Sequence, residues 1–415
     1  MSSERRTQRL RLGRPVWLEH AGRPAPRYPS LSDHVETSIA IVGGGMTGAL
    51  VAHAFASAGV ATVVLERALV GRGSTAASSA LLLQEPDLEL TELARRYGLR
   101  TSRRIWQLSR DSVRGLIALL RRLRIDCDLD VRDAVYYAID REDAARLRRE
   151  CAFRTRAGFA AEWLEPAAIR RLTGIAAEGA IRTRRNAQFD PYRACLGVMR
   201  AATAEGACVF ERSRVLQVRA DKDRVRLRTS RGVVTADRVV VATGYATPEF
   251  RPLTARFRMY RTYVLGTEPL HAAQRRRLGF ADVLVWDAKR PYHYARWTPD
   301  HRLLLGGGDR LVRARQRSRL RLDAARCELR AYFEAQLPPL ARVEMPFAWE
   351  GLFAMTPDSL PYIGPHRRYP RHWFALGYGG NGMTFGFLAA RLLLERWQGT
   401  RSRDQALFEF GRARR

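Results

Sequence analysis

The residues best suited to chemistry are glycines set in three turns, near the start, in the middle and at the end of the chain. The first, Gly43-Gly44-Gly45-Met46-Thr47-Gly48, satisfies G-x-G-x-x-G at Gly43, Gly45 and Gly48. An apolar run, 39–42, precedes it. A helical pattern follows to about Ala58, and a second apolar run, 61–65, ends at Glu66. In that order the parts have distinct duties. Gly43 permits the tight turn, Gly45 lets a pyrophosphate reach the backbone, and Gly48 lets the helix sit against the strand. Met46 and Thr47 open the helix, whose free N–H groups and dipole favour an anion. Glu66, followed by Arg67, offers its carboxylate to ribose hydroxyls. The pattern predicts a dinucleotide site.

Three further stretches extend that site. After Glu66 the run 71–83 is rich in small and hydroxyl residues, which allow close backbone approach and could wrap a second part of the cofactor. The run 239–245 reads as a buried strand that ends in a turn at Thr243 and Gly244. Near the end, residues 373–384 form another strand and glycine loop, and a helix follows to about Gln398.

These turns need elements to hold them. Residues 90–97 and 100–124 are helical, the second with Ile105, Leu108, Val113, Leu116, Leu120 and Leu123 on one face. A strand is expected at 134–139, and Asp140 caps the helix after it. A helix over 191–205 and short strands at 208–210, 215–218 and 225–228 return the chain to the dinucleotide fold. Runs at 260–265, 283–286, 292–297 and 303–305 alternate with polar turns, as in an antiparallel sheet. The fold class is therefore α/β, a Rossmann-like domain interleaved with an α+β substrate domain on a mainly antiparallel sheet. The expected division is an extended N-terminal arm at 1–34, a dinucleotide domain from 35–88, 186–248 and 346–400, a substrate domain from 89–185 and 249–345, and a basic tail at 401–415.

Composition narrows the partners. The net charge is +30, and 70 of the 72 basic residues are arginine, since Lys222 and Lys289 are the only lysines. The arginines are spread through the chain, which fits a compositional bias better than a nucleic-acid surface. No apolar run nears the roughly 18 residues of a membrane span. Five cysteines without a CxxC pair (Cys127, Cys151, Cys195, Cys208, Cys327) fit reduced thiols in the cytoplasm and no metal site.

Taken together, the three glycine turns make residues 35–399 resemble the D-amino-acid-oxidase-like family of FAD-dependent oxidoreductases, which takes in glycine, sarcosine and γ-glutamylputrescine oxidases. The resemblance implies FAD held by Gly43, Gly45, Met46, Thr47 and Gly48 at the pyrophosphate and by Glu66 and Arg67 at the ribose. It sets Ser74, Thr75 and Ser78 along the linker and Ala80 and Leu81 by the ring. Val215, Thr243 and Gly244 fall at the adenosine half, and Gly380, Asn381, Gly382, Met383 and Thr384 at the pyrimidine end. No match is found for the covalent-flavin cysteine of sarcosine oxidases, so FAD is expected to be non-covalent. The lysine those enzymes use toward oxygen falls at Leu304, which leaves oxygen or another electron acceptor open.

The implied reaction removes a hydride from a carbon bearing an amine, and the imine then hydrolyses. The flavin carries this chemistry, and no catalytic triad is present. In glycine and D-amino-acid oxidases a Gly-Leu-Arg-Pro motif supplies the arginine that grips a carboxylate. Here residues 351–364 align without gaps and Phe353 stands in its place, which argues for an amine or for a substrate anchored elsewhere. Tyr292 and Arg296, with Phe353, are the expected substrate contacts. The resemblance implies that Tyr292 meets the substrate, as a tyrosine at its place does in glycine oxidase. Alternate residues of a strand place Tyr292, Tyr294 and Arg296 on one face and His293 on the other. Two alternatives are an FAD enzyme acting on a tRNA-borne aminomethyl group and a non-catalytic flavoprotein.

Overall fold

The computed structural model describes residues 10–19, 26–312 and 318–412. Two sheets organise them in a mixed α/β architecture. The first has eight strands, five of them parallel in the order Tyr369–Leu376, Val233–Gly244, His34–Val42, Thr62–Leu65 and Cys208–Phe210. Tyr362–His366 lies antiparallel at one edge, and the hairpin of Gln217–Ala220 and Val225–Arg228 hangs from Val233–Gly244. The parallel strands are nearly continuous apolar runs because both faces are covered. Ile39, Ile41, Val64 and Val240 face the helices Met46–Ala56, Pro191–Ala204 and Gly382–Trp397. Ala40, Val63, Leu65, Val239 and Val241 face the hairpin side.

The second sheet has ten strands. Its order is Arg11–Gly13, Phe347–Met355, Arg258–Gly266, Leu303–Leu311, His293–Trp297, Leu284–Asp287, Asp130–Ala138, Gly179–Gln188 and Leu81–Leu82, with Glu162–Leu164 also on Gly179–Gln188. Every pairing is antiparallel except that of Leu284–Asp287 with Asp130–Ala138. The helix Leu99–Arg122 packs beside Gly382–Trp397 and Leu90–Tyr97 packs on Leu99–Arg122, joining this part to the first sheet through one apolar core. Asp140 caps Arg141–Arg156 by accepting the Asp143 N–H at 2.9 Å.

Four elements differ from the sequence reading. The described part of the N-terminal arm is built in: Arg11–Gly13 pairs with Phe347–Met355, and Val16 and Trp17 are buried. Phe347–Met355 itself belongs to the ten-stranded sheet, although its position after residue 346 assigned it to the dinucleotide domain. The basic tail is docked through Arg412, with Phe408 and Phe410 buried and the Phe410 ring stacked on Tyr362. The helix Ser318–Gln336, unassigned from sequence, buries Ala325, Leu329 and Phe333 against the ten-stranded sheet.

Candidate active site

The first turn is closed by backbone contact. Gly43 has φ +113°, and its N–H donates to the Leu65 carbonyl at 2.9 Å. A Cβ on Gly48 would lie 1.9 Å from the Gly43 carbonyl oxygen, so only glycine lets this helix meet this strand. The N-cap of the helix Met46–Ala56 is Gly45, which has no side chain to cap it. The Met46 N–H donates to the Thr75 hydroxyl at 3.0 Å, which brings the 71–83 segment over the helix start. The Glu66 carboxylate accepts the N–H groups of Gly44 at 2.7 Å and Ala68 at 2.8 Å. Burial raises its pKa, and these two amides oppose the rise. A carboxylate has about four lone-pair sites, so Glu66 retains capacity for ribose hydroxyls.

The segment after Glu66 is held from both sides. The Ser74 hydroxyl donates to the Leu352 carbonyl at 2.8 Å, and the Ala80 N–H donates to the Ser78 hydroxyl at 3.0 Å. In the last loop the Gly380 N–H and the Asn381 side-chain amide both donate to Asp87, at 2.8 and 2.6 Å. The Thr384 hydroxyl donates to the Leu83 carbonyl at 3.2 Å.

A cavity of about 1890 Å³ connects all of these segments. It exceeds the roughly 300–1,000 Å³ usual for small-ligand pockets and has room for an extended dinucleotide together with a substrate. Every residue expected at the cofactor lines it except Gly48 and Thr384, which pack behind the wall. Val215, Thr243 and Gly244 lie on the wall with Glu66 and Arg67, Gly45 and Thr75 in the turn region, and Ala80, Leu81 and Gly380 with the loop segments. The glycine turn, the helix start at Gly45, the half-buried acid after the second strand and the continuous cavity fit FAD.

Of the expected substrate contacts, Tyr292 and Phe353 line the cavity and Arg296 does not. Arg296 is 1% exposed. It donates to the carbonyls of Ser79 at 2.6 Å and Phe189 at 3.0 Å, and its guanidinium lies 4.9 Å from the Trp17 ring centre. It braces the wall from behind. Tyr294, on the same face, reaches the cavity. His293 points away: Nδ1 lies 2.9 Å from Asp287 Oδ2, and the ring stacks 3.6 Å from Tyr332. The Phe353 ring stacks on Tyr260 with centres 5.7 Å apart and planes at 20°. Leu304 is buried beside Ala77 and Trp349.

The sequence reading missed Glu85, Asp87, Tyr136, Arg154, Trp286 and Arg290, all on the wall near Tyr292. The Glu85-Pro86-Asp87 triplet directly after the 71–83 segment was the available signal, since two acids there follow a stretch already expected to pass the cofactor. Arg154 and Trp286 carry no such local mark, because the fold brings them in from distant elements.

Comparison with known proteins agrees with this geometry. Residues 38–396 match the family model DAO, FAD dependent oxidoreductase. Gamma-glutamylputrescine oxidoreductase of Escherichia coli (strain K12) is 29% identical over 390 residues, covering 93% of this chain and 89% of the relative. Glycine oxidase of Geobacillus kaustophilus (strain HTA426) is 25% identical over 378 residues, covering 86% and 92%. The crystal structure of glycine oxidase from Geobacillus kaustophilus superposes with a TM-score of 0.76 at 22% identity, covering 91% of this chain and 99% of that one. That of L-proline dehydrogenase from P. horikoshii gives 0.74 at 18%, covering 92% and 97%, and both show the shared fold. The fold and site define an FAD-dependent oxidoreductase. The chain belongs to the DAO family.

Proposed function

We propose that the protein oxidises an amine that carries no carboxylate on the reacting carbon, with FAD held non-covalently along the cavity. The observation that carries this reading is Phe353. Its ring, stacked on Tyr260, occupies the wall where a carboxylate clamp is expected, and it cannot hydrogen-bond an anion. The relative named for γ-glutamylputrescine suits this class, whereas the one named for glycine marks the contrasting substrate.

Bound FAD supplies the hydride acceptor, and the imine product hydrolyses in water. The chain's own part is positional. The helix start at Met46 takes the pyrophosphate, Glu66 the ribose, and the Gly380–Met383 backbone the pyrimidine end. Tyr292, Tyr294, Trp286 and Phe353 enclose the amine in an aromatic, water-poor end. None of the five free cysteines is among the residues lining the cavity, which supports a non-covalent cofactor. We read the eight-stranded sheet as the cofactor domain and the ten-stranded sheet as the substrate domain. The free thiols suit the cytoplasm, and among the described residues no helix is long and apolar enough to cross a membrane. Oxygen or another acceptor reoxidises the cofactor.

The test is the visible spectrum of the purified protein before and after anaerobic addition of amines and D-amino acids. A yellow protein bleached by amines but not by glycine or D-alanine is expected. Bleaching by D-alanine would locate a carboxylate site that Phe353 does not describe, and a protein that cannot be loaded with FAD would refute the reading.

A further inference from the structure

The chain carries +30, yet the substrate end of the cavity is acidic. Asp87 is half-buried on the cavity wall, fixed by the Gly380 N–H and the Asn381 amide. Both donors come from one loop, so the carboxylate is oriented before any ligand arrives. Tyr292 shares this corner: a Cβ on Gly380 would lie 2.8 Å from the Tyr292 hydroxyl and 3.0 Å from Asp87 Oδ1. Asp87 forms no ion pair among the described residues. A half-buried carboxylate bonded only by neutral donors is poorly neutralised.

Of the charges around Asp87, Arg290 acts on it through space but forms no ion pair with it. Glu85, 5% exposed and also on the wall, shares Arg154 with Glu150, so two carboxylates face one guanidinium. Among the described residues Glu85 Oε2 has no hydrogen-bond partner, and neither has Asp309 Oδ1. Glu89 is paired with Arg146. Arg290 is exposed, stands 5.7 Å from the Tyr292 ring centre and makes no ion pair among the described residues. Unpartnered oxygens beside an unpaired carboxylate call for a cation, as Phe353 on the same wall marks the loss of an anion site.

Building on the amine reading above, we propose that Asp87 determines specificity by holding a positively charged nitrogen of the substrate. The polarity of recognition is thereby reversed, with a carboxylate on the protein in place of a guanidinium. Titration follows from the surroundings. Burial raises Asp87 to about 6, against the Gly380 N–H and Arg290. Burial likewise raises Asp309, on the strand Leu303–Leu311, to about 7, with Asp87 adding to the rise and the Thr262 hydroxyl, His293 and Arg290 opposing it. Tyr292 faces both acids and is itself raised well above its ordinary value, first by burial, so it stays neutral. Above about pH 6 Asp87 is an anion ready for a cation, and below it the attraction is lost.

The probe is tert-butylammonium, which has no hydrogen on the carbon bearing nitrogen and so binds without being oxidised. Trimethylacetate, of the same shape with a carboxylate, is its control. Each is titrated into the FAD-loaded protein and read as a perturbation of the flavin absorbance. Tert-butylammonium is expected to bind and trimethylacetate not to. Affinity for the ammonium should fall about tenfold to a hundredfold in Asp87→Asn, the value of a hydrogen bond to a charged group, and should fall in the native protein below about pH 6. Asp87→Glu, which keeps the charge, should retain part of the affinity and guards against a merely structural loss. Binding of trimethylacetate in preference, or unchanged ammonium affinity in Asp87→Asn, would overturn the proposal while leaving amine oxidation standing. Failure of the native protein to take up FAD would overturn both.

Discussion

Replacing Phe353 by arginine should exchange one substrate class for another. The ring is half-buried on the cavity wall, and its main aromatic partner is Tyr260, at 5.7 Å. Losing that stack costs about 0.5–1.5 kcal/mol of folding stability, which an enzyme of this size tolerates. The new guanidinium faces the substrate end, where a bidentate contact to a carboxylate is worth about 1.5–3 kcal/mol. That converts to about tenfold to a hundredfold in kcat/KM for glycine or D-alanine. The same cation opposes a charged nitrogen held near Asp87, so kcat/KM for the native amine should fall together with the gain. The assay is the anaerobic rate of flavin bleaching as a function of substrate concentration, for one amine and one amino acid, in both proteins. The reasoning is refuted if Phe353→Arg keeps its full amine activity, binds FAD normally and gains nothing toward α-amino acids, since Phe353 would then not face the carboxylate position.

Two further substitutions separate structure from recognition. Arg296→Met removes donors from the Ser79 and Phe189 carbonyls. Each buried acceptor left unpaired costs about 1–3 kcal/mol, so the guanidinium chloride midpoint should drop at constant slope while KM for the amine changes little; a raised KM at unchanged stability would restore Arg296 as a substrate contact. Arg412→Ala breaks a bidentate pair in which both nitrogens lie 2.7 Å from Asp358 and both side chains are under 5% exposed. Burial alone would raise Asp358, but Arg412, with the Tyr97 and Thr356 hydroxyls, overcomes it and holds the carboxyl well below its ordinary 3.8. A depressed carboxyl stabilises above its unfolded pKa and loses that stability as pH falls. The variant should therefore lose about 3–5 kcal/mol at neutral pH, with the deficit shrinking below about pH 4 in unfolding titrations; a deficit independent of pH would show that the pair does not act through charge.

Sequence revealed most of the cofactor end and little of the substrate end, and the reason is the range of the contacts. The Gly43–Gly48 turn and the Gly380–Met383 loop are each specified within about ten residues, and Glu66 by its place at the end of the strand that follows the first helix. Glycine is required where Gly48 meets the Gly43 carbonyl, and such local demands leave a spacing that can be read. Arg296 shows the limit of the same method. Strand alternation correctly put it on the face of Tyr292 and Tyr294, but the depth of that face is set by Ser79, Phe189 and Trp17, which come from remote parts of the chain. The helix Ser318–Gln336 escaped notice because its buried positions, Ala325, Leu329 and Phe333, are only three residues among arginines and acids. The docked C-terminus escaped for a similar reason. A run of arginines looks solvated until one of them, Arg412, meets a carboxylate it can neutralise in the interior. Asp87 combines both problems. Its residue type was visible, but its significance comes from its forming no ion pair among the described residues, and only the assembled wall shows which charges are already committed. Chemistry written into backbone turns is thus legible along the chain, whereas chemistry that depends on charge balance in a cavity becomes legible only when the distant elements have been brought together.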